Sequence, residues 1–123
     1  MNNFNFIICG KDPDYLPDVK NRFNDLNQIE QNINTSLIGL LMSLLKRAFY
    51  TVGSQSAIPN ISLLYRVSAL EWGNQKEYHV NEYNILKTPV TFIEEKDKTF
   101  KTPPNVIFDN MKKLLIEKLE MCR

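Results

Sequence analysis

Catalytic chemistry has few places to come from in this chain. There is one histidine, His79, and two cysteines, Cys9 and Cys122. His79 lies between Tyr78 and Val80 in a segment that reads as a strand, where a histidine is an ordinary half-exposed residue. A Ser-His-Asp site would have that one base. The Gly-x-Ser-x-Gly elbow is missing, since Ser54 follows Gly53 with no second glycine two residues later. A Cys9–His79 thiol dyad is the other nucleophilic pairing, but Cys9 falls in an apolar stretch where thiols act as small hydrophobes. No catalytic residue is assigned and no enzyme activity is expected. A small thiol enzyme is kept as a third reading.

Ligand-binding patterns are equally sparse. Gly10-Lys11 after a strand ends like a phosphate-binding loop, yet Asn5 stands where the first glycine belongs and Asp12 where Ser or Thr should follow. Asp12, Asp14 and Asp18 lack the glycine and glutamate of a calcium loop, as Pro17 and Phe23 hold those places. They read as acids favoured at a helix N-terminus by the macrodipole. Cys9 and Cys122 are too far apart for metal-ligand spacing; they form one disulfide if the termini meet and otherwise read as free thiols, the default inside a cell. No cofactor and no metal are expected.

Nucleic acid is the runner-up partner. Tyr65, Arg66, Tyr78, Tyr83, Lys87, Phe92 and Phe100 sit on or beside strand-like segments, and aromatics on a sheet can stack bases. Glu71, Glu77, Glu82, Glu94 and Glu95 are interleaved with them, so a basic groove is lacking.

Over the whole chain, 123 residues with 43% hydrophobic, 11% aromatic and 24% charged residues fit a single α+β domain spanning 1–123. The formal charge of +1 excludes attraction to nucleic acid or anionic lipid by net charge alone. Residues 31–70 carry Lys46, Arg47 and Arg66 and no acid. The start has no signal-peptide pattern and no segment is long enough to span a membrane, so a cytoplasmic or nuclear protein, or one inside a particle assembled there, is expected. Fourteen asparagines, and eleven lysines against four arginines, suggest an AT-rich genome such as that of a large DNA virus. No internal repeat is visible.

The spacing predicts the order β-α-α-β-β-β-α with a small antiparallel sheet. Phe4–Cys9 alternates as a strand. Val19, Phe23, Leu26, Ile29 and Ile33 make one helical stripe behind an Asp14 cap. Ser36–Val52 reads as a second helix, apolar nearly all round, ended by Gly53. Ile61–Leu70, Tyr78–Leu86 and Val90–Glu94 read as strands, the first two joined by a hairpin at Trp72–Gln75. Pro103-Pro104 ends the sheet, and a helix runs on from Asn105 to Cys122.

Helix 36–52 has more apolar surface than such a domain needs, and the last helix has a second apolar edge in Ile107, Leu114, Ile116 and Met121. A helix apolar all round must be buried on all sides, by its own core or by another chain. The function expected is therefore a non-catalytic protein–protein interaction or assembly subunit, homo- or hetero-oligomeric, such as a nucleocapsid component of a large DNA virus. Its candidate interface is Leu37, Leu40, Leu41, Leu44, Leu45, Phe49 and Trp72.

Overall fold

The computed structural model describes residues 6–10, 29–34, 38–95 and 102–121. Two compact units divide the chain, Met1–Leu44 and Leu45–Arg123. In the first, β1 (Phe6–Gly10) pairs in parallel with β2 (Ile29–Asn34), with Cys9 opposite Ile33. The helical stripe expected through Ile33 therefore ends in a strand, because Ile29 to Asn34 take up main-chain hydrogen bonds with β1. The remainder of that expected helix lies outside the described residues. Helix α1 (Ile38–Arg47) ends ten residues after it begins, sooner than Gly53 would suggest. Residues beyond Phe49 are drawn into a strand instead.

The second unit holds β3 (Thr51–Ser54), α2 (Ala57–Leu64), β4 (Ala69–Gly73), a π-helical turn (Tyr78–Glu82), β5 (Val90–Glu94) and α3 (Pro104–Met121). The overall class is α+β. The sheet has the order β3-β4-β5 and all its pairings are parallel, so the expected antiparallel sheet and its element order are overturned. The physical reason lies in the connections. A hairpin needs only a few residues, whereas each link here carries a helical segment back along the sheet so that the next strand runs the same way. Ile61–Leu64 is accordingly helix, with Pro59 tolerated in its first turn. Trp72 lies in β4 and not in a hairpin turn. Tyr78–Leu86 forms the π turn and its exit, not a strand.

The three strands are entered through related turns, the last two of them through a residue of positive φ. Thr51 is in register with Ala69, and Ala69 with Val90, offsets of 18 and 21 residues. Six residues before each of these stand Leu45, Leu63 and Asn84, which are 4%, 1% and 5% exposed. Their carbonyls accept the N–H of Ala48, Arg66 and Lys87 at 3.2, 3.1 and 3.0 Å. Arg66 and Lys87 have φ of 61° and 53°, the left-handed conformation that closes a helix end. At Arg66 the closure is completed by the Val67 N–H on the Ser62 carbonyl. At Lys87 the buried Asn84 side chain does that work, accepting the Thr88 N–H and donating to the Thr88 carbonyl. The second unit is thus a short stack of similar coils, with the repetition carried by backbone geometry and not by residue identity.

The core runs through the middle coil. Ala69 and Leu70 are fully buried, Leu63 nearly so, and Val67 is buried. Thr51 Oγ1 and Ser62 Oγ share a hydrogen bond of 2.8 Å, and Thr88 Oγ1 donates to the Leu63 carbonyl, so neighbouring coils are tied by buried polar links. At the strand ends, Gln55 Oε1 accepts the Gln75 N–H and Gln55 Nε2 donates to Asn74 Oδ1. Helix α3 has no fully buried residue. Its Lys118 donates to the Phe49 carbonyl and lies 4.5 Å from the Phe49 ring centroid.

Candidate functional site

Strand side chains alternate between faces, so the first and third residues of each strand point the same way. Thr51 meets α2 through Ser62, which fixes that face as the helical one. Glu71, third in β4, therefore projects from the central strand toward α2 and the π turn. It is fully buried. The π turn brings His79 over it, with Nδ1 3.2 Å from Glu71 Oε1. The same nitrogen lies 2.8 Å from Asn60 Oδ1 on α2. An amide oxygen can only accept, so Nδ1–H donates to Asn60. That leaves both Glu71 oxygens without a hydrogen bond.

The ring environment of His79 is aromatic. Tyr83 meets it edge-on at 5.6 Å and Phe92 of β5 lies tilted at 5.9 Å between centroids. Burial pushes the Glu71 carboxyl up to about 7 and pushes the His79 imidazole below its usual range. Both shifts have one cause, the penalty for a charged form away from water. Below about pH 7 the Glu71 carboxyl therefore favours its protonated form, and the His79 imidazole stays neutral to lower pH than a free one. The cluster has a carboxyl and an imidazole suited to proton exchange, but no serine, threonine or cysteine hydrogen-bonds to either among the described residues. Among those residues there is also no group of three His, Cys, Asp or Glu side chains able to hold a metal ion.

Above this buried cluster the chain turns apolar side chains outward. Tyr78 and Tyr83 stack at 6.0 Å with an interplanar angle of 28°. Both are exposed, as are Leu86 and Ile85, the latter at 75%. A π turn adds a residue to a helical turn and rotates the chain beyond it; here His79 is buried while Tyr78 before it is exposed and Val80 after it half-buried. A shallow open depression lies elsewhere, on α3, lined by Asp109, Lys112, Lys113, Ile116 and Glu117.

The expected interface residues separate. Leu41 and Leu45 are buried, and Leu45 is the helix-end residue of the first coil, so neither offers surface. Leu44 and Trp72 are half-buried, while Leu40 and Phe49 are exposed. Leu37 lies outside the described residues. Of the aromatic set considered for bases, Tyr78 and Tyr83 are exposed on the crossover, Phe92 is half-buried in β5, and Phe100 lies outside the described residues. Cys9 is in β1 and Cys122 lies outside the described residues.

Sequence reasoning picked out His79 and missed both of its partners. The signal was available at Glu71, an acid inside the apolar run Ala69-Leu70-Glu71-Trp72. Among the described residues, no helix is long and apolar enough to cross a membrane. No protein-family model matches the chain, and no curated protein and no solved structure matches it.

Proposed function

We propose that the chain is a non-catalytic protein-interaction subunit of a larger assembly, and that the crossover between β4 and β5 carries its contact surface. The observation that supports this is the exposed set Tyr78, Tyr83, Ile85 and Leu86, confined to nine residues above a strand in which all but Trp72 are buried. Tyrosine and aliphatic side chains grouped in this way favour a protein partner. Glu77 and Glu82 flank the tyrosine pair, which disfavours a nucleic-acid backbone. The exposed Ile38, Leu40 and Met42 of α1 and Phe108, Ile116 and Met121 of α3 are further apolar surface for the same kind of contact. The asparagine- and lysine-rich composition supports an assembly encoded by an AT-rich genome, as in a large DNA virus.

The test is native mass by light scattering after size exclusion, with a second copy of the chain as the first partner considered. A mass above the 14.4 kDa of one chain is expected, returning to that value in Ile85→Asp. Ile85 is so exposed that the substitution leaves the core untouched. A folded monomer with no partner on co-purification overturns the reading.

A further inference from the structure

Glu71 lies at the centre of the stack and has no hydrogen bond, which is an expensive place for a carboxylate. His79 Nδ1 lies 3.2 Å from its Oε1, and His79 is part of the crossover that carries the exposed tyrosines. Gln55 holds the start of the crossover at Asn74 and Gln75, and Thr88 holds its end on the Leu63 carbonyl; between these, its middle is fixed to the layer beneath by this contact and by the His79–Asn60 hydrogen bond. Other charges are poorly placed to compensate. Helix α2 and strand β3 carry no charged side chain. Lys76, Glu77, Glu82 and Lys87 on the crossover are exposed, as are Glu94 on β5 and Arg66 before β4. Tyr83 faces the His79 ring by its edge, and Phe92 closes the side toward β5.

We propose that Glu71 and His79 form a proton-operated latch: while the Glu71 carboxyl keeps its proton, residues 74–89 stay seated on the sheet, and loss of that proton to solvent loosens them together with the Tyr78–Tyr83 pair. Ionised Glu71 gains hydration only if the crossover lifts, so the open form is favoured by the charge. The raised Glu71 pKa puts the transition near neutral pH. Protonating His79 has a related effect at lower pH, since an imidazolium is also disfavoured there. The latch stands on the buried cluster alone. Its role in switching partner contact rests on the interaction surface proposed above.

Amide hydrogen exchange on the full-length chain at pH 6 and pH 8, corrected for intrinsic exchange, tests the latch without any partner. The opening constant of residues 74–89 is expected to rise about three-fold between those values, the larger gain from Glu71 being offset in part by His79, which favours the open form at pH 6, while β4 amides stay better protected than the crossover. Glu71→Gln, which keeps the shape and removes the charge, is expected to abolish the rise. A pH-independent crossover overturns the proposal, as does a rise that persists in Glu71→Gln. Equal protection in β4 and the crossover at both pH values also overturns it, because opening is then global. A carboxyl-carbon NMR titration of the unmodified protein needs no variant, and a Glu71 midpoint in the ordinary glutamate range contradicts the latch. Failure of the surface reading shows separately, as a monomer by light scattering whose exchange pattern is intact.

Discussion

Arg66 and Lys87 occupy one backbone position in successive coils. Each has positive φ, each donates its N–H to a carbonyl three residues back, and each stands three residues before its strand. A side chain at positive φ carries a steric cost that glycine escapes. Both residues are exposed, so neither is held there by packing. Their conformation is imposed by the need to leave a helix and enter a parallel strand within a few residues.

Arg66→Gly is therefore expected to keep or raise stability, by up to about 1 kcal/mol. Arg66→Val is expected to lose about 1–2 kcal/mol, since a β-branched residue tolerates positive φ poorly. Urea midpoints of the two variants check the sign.

Gly73 closes β4 against the Gln55 side chain. A Cβ at this position would meet Gln55 Oε1, which accepts the Gln75 N–H. Gly73→Ala is expected to displace Gln55 and cost about 1–2 kcal/mol, within the usual range for a lost hydrogen bond and local strain. Gln55→Ala is expected to relieve the clash, so the double variant should be more stable than additivity allows, as a double-mutant cycle would show.

The buried pair gives stability a particular pH profile. The folded pKa of Glu71 is raised from 4.5 to about 7, so its contribution is full below 4.5 and is lost as pH rises through about 7. The loss is on the order of 3 kcal/mol. The folded pKa of His79 is lowered, so its contribution is full above its usual 6.5 and falls as pH drops through the folded value. Unfolding free energies measured from pH 5 to pH 9 should decline on the alkaline side, and Glu71→Gln should flatten that limb.

Leu45 and Ile85 separate folding from assembly. Leu45→Asp places a charge at a buried helix-end position and is expected to unfold the second unit, by several kcal/mol. Ile85→Asp is expected to leave the unfolding midpoint within about 0.5 kcal/mol of the parent and to lower the native mass. Circular dichroism and light scattering on both variants distinguish the two roles.

Some of the fold was legible in the residues. Val90–Glu94 announces a strand and has the predicted bounds, and the last helix, expected at Asn105–Cys122, is observed at Pro104–Met121. These segments agree with their local pattern. Residues 57–64 and 78–86 do not, because Ile61, Leu63, Tyr78 and Val80 have strand-like types while their chain must travel back across the sheet. Parallel pairing depends on that return path, which no alternation of residues encodes. At the site, His79 was visible as a rare residue type, but the fold alone brings Asn60 and Glu71 to it from positions 19 and 8 residues away. The repeated entry turns are not legible because Leu45 and Leu63 are two among many leucines and Asn84 breaks the pattern at the third turn.

Each strand of the three-stranded sheet pairs only with the next along the chain, at separations of 18 and 21 residues. Such an arrangement has a natural unit of length. Removing or duplicating one whole coil would leave the neighbour contacts of the others nearly intact, whereas a change of two or three residues within a coil would disturb a helix end and a strand register together. Length variation among descendants of this sequence should therefore come in steps of about twenty residues, with smaller changes confined to the exposed outer turn of the crossover.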